Sequence, residues 1–179
     1  MTSPRPQISR RTITIAASSR VAPRYGAMFV TRLGSPEHAF LGAARRAILG
    51  TIDPAGLPHL VPICFVVAEN PDGGHRLLTP IDDKPKIAAD PLALARVRDI
   101  RARPDVTVLI ERWDEDWSRL AWLRLTGRAT LLEPDALPVE AIAALRFKYP
   151  QYASHRLEDR PSISITIERA RSWGVLDQD

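Results

Sequence analysis

A mostly antiparallel β-barrel with short helical insertions is the fold class that this 179-residue sequence predicts. Three observations lead there. A hairpin signal spans Ala47 to Val67, two later segments alternate apolar and polar residues with period two, and the helical stretches fall too irregularly between strands for a doubly wound parallel sheet. The result is a mainly β, α+β chain of six strands: Ile48–Ile52, Leu57–Val67, His75–Ile81, Val106–Trp113, Ala121–Leu131 and Ser162–Glu168.

The hairpin organises the rest. Asp53-Pro54-Ala55-Gly56 is turn chemistry: an Asx side chain, a proline that presets φ, and a glycine free to take φ > 0. In the following strand both faces are mostly apolar, so burial on both sides is expected, as in a barrel wall or beneath a ligand. Positions 58, 60 and 62 send their N–H groups to one side, and Pro58 and Pro62 have none. That side cannot carry a full ladder, so a sheet edge or a bound molecule belongs there.

Residues 1–34 hold six arginines and no acid, and read as a disordered basic tail ahead of one domain over 35–179. Arg10-Arg11 before TITIAAS faintly resembles a twin-arginine signal, but Arg20 interrupts the apolar part too early for export. Met28, just ahead of the first patterned segment, is a candidate start of translation. Setting the tail aside turns the net charge of +4 into 19 basic against 21 acidic residues, so the body carries no nucleic-acid footprint. No run approaches the length of a membrane span. The single cysteine, Cys64, lies in an apolar strand, reads as a small buried hydrophobe, and suits a reducing cytoplasm.

Ser35-Pro36-Glu37 starts a short helix with serine as N-cap, and Phe40, Leu41 and Ala44 mark its apolar face. Asn70-Pro71-Asp72-Gly73-Gly74 is the next turn. After the third strand, Asp82–Lys86 is a loop, and Asp90-Pro91 opens a helix to about Ile100 with Leu94 and Val97 inward. Asp114-Glu115-Asp116-Trp117 is a charged connection. In Ala121–Leu131, Leu123, Leu125, Ala129 and Leu131 point one way and the polar set with Trp122 the other. Asp135 caps a helix to about Tyr149, packed through Val139, Ile142 and Leu145. In the last strand Ile163, Ile165 and Ile167 face inward.

The search for chemistry narrows quickly. His38, His59, His75 and His155 have no paired spacing, so no metal site is expected. Nucleophile elbows, Walker loops and dinucleotide fingerprints are absent. The carboxylates at 82–83 and 114–116 read as solvated. Lys84 and Lys86 flank a stiffening proline directly after a strand. They are either a solvated basic loop or a pair that neutralises a phosphate or carboxylate tail, with Arg101 and Arg103 adding charge. Trp113, Trp117, Trp122 and Trp173 either wall a planar ring or serve as core and dimer contact.

LPHLVPICF, DDKPK, DIRARPDVTVLIERWDEDWSRLAWLRLTGRA, LRFKYPQY and RSWGV, in that order over about Ser35 to Leu176, resemble the pyridoxamine 5'-phosphate oxidase-like split β-barrel proteins. The DEDWSRLAW segment looks most like the actinobacterial branch of coenzyme F420-dependent oxidoreductases. The resemblance implies an FMN-binding-like, six-stranded split barrel and a homodimer with its cofactor in the groove between subunits. It places that cofactor against Pro58, His59, Leu60, Val61 and Pro62, with Lys84 and Lys86 gripping the phosphate and Trp173 bordering the groove. Trp113, Trp117 and Trp122 then shape the substrate pocket or the dimer contact.

Relatives that use FMN carry an Arg and a Lys on the second strand, where this chain offers only His59. The resemblance therefore favours F420, with its anionic oligoglutamate tail, and hydride transfer to a small conjugated or quinone-like substrate. The alternatives are an FMN-dependent relative or a non-catalytic flavin or F420 carrier. No catalytic residue is assigned; His59 is either a packed strand histidine or a proton donor.

Overall fold

The computed structural model describes residues 28–30, 32–70, 72–81 and 91–177. Among these the strands are β1 (Met28–Val30), β2 (Ala47–Ile52), β3 (Pro58–Ile63), β4 (Val66–Glu69), β5 (His75–Pro80), β6 (Asp105–Arg112), β7 (Ala121–Leu132) and β8 (Ser162–Gly174). The α-helices are α1 (Ser35–Ala43), α2 (Ala95–Ala102) and α3 (Val139–Lys148), with single 3₁₀ turns at Pro91–Ala93, Trp117–Arg119 and Pro150–Ser154. All strand pairs are antiparallel, in the order β3-β2-β6-β7-β8-β5-β4, and β1 adds to β8.

The hairpin forms as its composition demands. The Asp53 carboxylate accepts the Leu57 N–H at 2.8 Å, the Gly56 N–H donates to the Asp53 carbonyl at 3.0 Å, and Gly56 takes φ +91°. Few L-residues other than Asn or Asp tolerate that angle, so glycine is what closes the turn. Six expected strands become eight for two local reasons. The long second strand breaks at Cys64-Phe65, and Met28–Val30, assigned by composition to the tail, pairs with Ala170–Ser172. Strand β8 also runs past Glu168 to Gly174, where its residues are mixed in character and period two fades.

The break in the second strand has a physical support. Phe65 leaves the ladder, yet its N–H donates to the Tyr149 hydroxyl at 3.0 Å and its carbonyl accepts that hydroxyl's proton at 3.1 Å. One side chain thus satisfies both backbone groups at a buried corner. The chain turns there, so β3 and β4 become the two ends of one curled sheet.

Two apolar layers result. The larger lies inside the curl, where Leu49, Val108, Ile110, Leu123, Leu125 and Ile165 meet the buried faces of α1 and α2. The smaller joins the opposite face of β4 and β5 to α3 through Val66, Leu78, Leu145, Tyr149, Tyr152 and Leu157. Helix limits differ from expectation in three places, one being α2, which follows a 3₁₀ turn at Pro91–Ala93 and runs from Ala95 to Ala102 rather than from Pro91 to Ile100. Gly34 is the N-cap of α1 and its N–H donates to the Glu37 carboxylate at 2.9 Å, so Ser35 is already helical. Asp135 takes φ +64° with its N–H bound to the Glu158 carbonyl, so α3 begins only at Val139. Val139 is 76 % exposed, and the buried face of α3 is Ala141, Ile142 and Leu145.

Candidate functional site

Among the described residues strand β3 is an edge, hydrogen-bonded only to β2. Because Pro58 and Pro62 lack N–H groups, the ladder to β2 draws its donors from the alternate set at 59, 61 and 63, and the open side is short of amides. The expected burial on both sides does not occur within one chain. Pro58, Leu60 and Pro62 are exposed, Leu60 by 70 %, while His59 and Val61 are half-buried on the inner face. An edge strand has a neighbour on one flank only, and here none of the described residues covers its outer face.

That outer face continues across β2, β6 and β7 as two adjoining hollows of about 530 Å³ and 560 Å³ that share Gly50, Leu60 and Thr107. Gly50 is the reason for the depression. A Cβ there would come within 3.2 Å of the Leu60 side chain and 3.4 Å of the Thr107 carbonyl. The second hollow is walled by Ile48, Leu109 and Trp122, with Glu111 and Arg124 at the rim, a mainly apolar trough of ligand-pocket size.

The tryptophans divide. Trp122 and Trp173 are cross-strand partners on β7 and β8 and therefore share the outer face, both half-buried, with the Arg124 guanidinium 6.0 Å from the Trp122 ring centre. Trp113 and Trp117 stand 68 % and 74 % exposed in the β6–β7 connection, and neither lines the hollow that Trp122 walls. That connection is held by the Asp114–Arg119 ion pair at 3.1 Å and by Asp116, whose carboxylate takes the Ser118 N–H and hydroxyl. Those two hydrogen bonds hold the Asp116 carboxyl below its usual range. Lys84 and Lys86 lie outside the described residues, and Arg101 and Arg103 are exposed at the end of α2.

Two histidine arrangements were invisible in the linear spacing. His59 Nδ1 lies 2.8 Å from the Asp99 carboxylate, which also accepts the Thr51 hydroxyl at 2.7 Å. Asp99 projects from α2 and is 2 % exposed. His38 on α1 and His75 on β5 meet Nε2 to Nε2 at 2.9 Å, one donating to the other. Burial, followed by the nearby His38, pushes the His75 imidazole below its ordinary value. Among the described residues no cluster of three or more metal-ligating side chains forms. The only signal for Asp99 in sequence was an acid between the inward Val97 and Ile100 on an otherwise arginine-rich helix.

A further cleft of about 420 Å³ lies between α1 and α3 over β4, lined in part by His38, Arg45 and Lys148. The Lys148 ammonium donates to the Leu41 carbonyl at 2.8 Å and sits 4.0 Å from the Phe65 ring centre. Burial, with Arg45 adding repulsion, brings Lys148 down to about 8. No helix among the described residues is long and apolar enough to cross a membrane.

Comparison with solved structures shows the same fold. The chain is similar to the Mycobacterium tuberculosis protein Rv2991, at 24% identity over 79% of this chain and 85% of that one, with a TM-score of 0.56. It is also similar to the heme storage protein HutZ of Vibrio cholerae, at 18% identity over 82% of this chain and 99% of that one, TM-score 0.54. A third likeness is to Atu2129 of Agrobacterium tumefaciens, at 21% identity over 74% of this chain and 52% of that one, TM-score 0.54. No curated protein matches. The profile of the family described as pyridoxamine 5'-phosphate oxidase matches residues 37–174, from the first turn of α1 to the last residue of β8, and the chain belongs to that family.

Proposed function

We propose that the protein is a homodimeric coenzyme F420-dependent oxidoreductase whose cofactor lies along the open edge of β3, between subunits. One observation carries this reading. The edge is short of amide donors at Pro58 and Pro62, and it borders an outer-face trough floored by Gly50 that the described residues leave uncovered. A planar ring needs a flat, partly apolar bed without competing ladder donors, and these residues fit one.

A second copy laid across Leu60, Leu109 and Trp122 would exclude water from that bed. When bound, the deazaflavin supplies the hydride chemistry; the chain's part is to bind and orient. In this assignment Pro58 to Pro62 line the ring, Lys84 and Lys86 hold the anionic tail, Trp173 borders the groove, and Trp113, Trp117 and Trp122 shape the substrate pocket or subunit contact. The substrate is a small conjugated or quinone-like acceptor. F420 is favoured over FMN because β3 presents no Arg or Lys, only His59.

Titration with F420 and with FMN, read by tryptophan quenching, tests the reading. F420 is expected to quench and to support turnover of a quinone acceptor. Replacing Lys84 and Lys86 together by alanine is expected to weaken F420 binding, and wild-type affinity should fall as salt rises. Tight FMN binding with no response to F420 would assign the alternative cofactor. Binding of either without turnover would make the protein a carrier.

A further inference from the structure

The cleft between α1 and α3 brings two cations together without an acid. Arg45 follows the end of α1, and Lys148 is the last residue of α3. Both stand over the Tyr149 ring, the Arg45 guanidinium 5.0 Å and the Lys148 ammonium 5.7 Å from its centre. Among the described residues neither has a carboxylate partner, and no acid lines the cleft of about 420 Å³ that they share. Two like charges at one place, one of them half-buried, oppose folding unless something compensates them. Burial, and then repulsion from Arg45, bring Lys148 down to about 8.

A structural role accounts for only half of this arrangement. Lys148 donates to the Leu41 carbonyl, one of the orphan acceptors in the last turn of α1, at 2.8 Å, and its ammonium lies 4.0 Å from the Phe65 ring centre. Such a cap needs one donor, and an ammonium has three. It gives no reason for Arg45, whose charge repels the capping group. Apart from His38, the rest of the lining is apolar: Leu41, Val66, Val67, Ala144 and Phe147, the last 91 % exposed. Gly42 leaves room at the wall, since a Cβ there would meet nothing within 4 Å.

We propose that this cleft binds a small organic carboxylate with an apolar body. The carboxylate is held by Arg45 and Lys148, and the hydrocarbon lies along Val66, Val67 and Ala144. Charge complementarity selects the anion. The apolar floor selects against inorganic phosphate, whose remaining oxygens would lose water there without gaining donors. The site lies over β4, at the other end of the sheet from the open edge of β3, and binding here does not require the cofactor proposed at that edge. A ligand that binds only the folded chain and bridges α1 to α3 also stabilises the packing of both helices on β4.

Octanoate is the probe, titrated into the full chain by calorimetry. Octanol supplies the body without the charge, and inorganic phosphate the charge without the body. Octanoate is expected to bind and to raise the unfolding midpoint; octanol and phosphate are expected to do neither. Arg45→Gln removes an exposed charge that caps nothing, so it should leave the midpoint of the ligand-free protein in place and weaken octanoate by about 10-fold or more. Gly42→Phe fills the cleft without touching either cation and should abolish binding. Affinity should also fall as pH rises through about 8, where Lys148 loses its proton while Arg45 stays charged. Of the other titratable groups at this place, burial holds the Tyr149 hydroxyl above its ordinary value, and Cys64→Ala and His38→Gln should leave the pH profile as it is.

No binding of octanoate, or wild-type affinity in Arg45→Gln or Gly42→Phe, would overturn the proposal. Octanol binding as tightly as octanoate would make the cleft a plain apolar hollow and overturn the role of the two cations. Phosphate binding as tightly as octanoate would overturn the role of the apolar floor, and the carboxylate assignment with it.

Discussion

Strand β4 is walled in by two helices, whereas the outer face of β3, at the other end of the same sheet, is left uncovered by the described residues. At the β4 end, Val66 packs under α3, Tyr149 holds the Phe65 backbone, and Lys148 reaches across to the Leu41 carbonyl of α1. At the β3 end, Leu57 and Leu60 are 62 % and 70 % exposed, and two of the three outward positions of the strand are prolines. Both ends face the same hazard, since an unpaired strand invites pairing with another chain. One is closed within the chain. The other is blunted by imino acids and left as a surface for something else. Stability should therefore reside at β4 and cofactor binding at β3, and substitutions can separate the two.

The largest effect is expected at the closed end. Leu145→Ala removes a fully buried side chain from the α3 layer and should cost about 2–5 kcal/mol in denaturant unfolding. Tyr149→Phe keeps the ring but strands the N–H and carbonyl of Phe65, and should cost about 1–3 kcal/mol. If either variant unfolds like the wild type, β4 is not where the fold is held.

Smaller effects should follow pH, and both come from the β4 side. Burial lowers Lys148 to about 8 in the folded protein. From there up to roughly pH 10.4 the unfolded chain holds more protons, so stability should rise with pH across that window. His75 is lowered as well, by burial first and His38 second. As pH falls below roughly 6.5 the unfolded chain takes up a proton that the folded imidazole resists, so stability should fall. Unfolding midpoints from pH 5 to pH 10 check both slopes, with Lys148→Met flattening the upper one and His75→Gln the lower.

The smallest effect on stability belongs to the open end. Leu60→Asp changes a side chain already in water and should shift unfolding by no more than about 0.5 kcal/mol. The same substitution should abolish dimerisation and F420 quenching, read by sedimentation and fluorescence. Loss of stability without loss of assembly would reverse the assignment of the two ends.

Much of this was legible along the chain. The Asp53–Gly56 turn, the alternation of Leu123, Leu125 and Ala129, and the inward isoleucines of β8 follow from local rules of turn chemistry and period two, which need no partner to be read. The edge position of β3 was legible too, because a missing N–H is a property of proline itself. The strand break was not, since Cys64 and Phe65 are as apolar as their neighbours and the interruption depends on a hydroxyl 84 residues away. Nor was the end of β8, whose later residues are defined by pairing with β1 and β7.

What the sequence by itself determined, then, is most of the elements, though not β1 or the break between β3 and β4, and the one strand side that cannot be fully paired, because backbone dihedrals and donor counts are local. What only the tertiary structure decided is which scattered side chains meet. His59 finds Asp99 across 40 positions and His38 finds His75 across 37, and no spacing rule spans such distances. Curling the sheet until its two ends lie at one corner, and laying α1 and α2 against it, is what turns isolated residues into a paired imidazole and an oriented one.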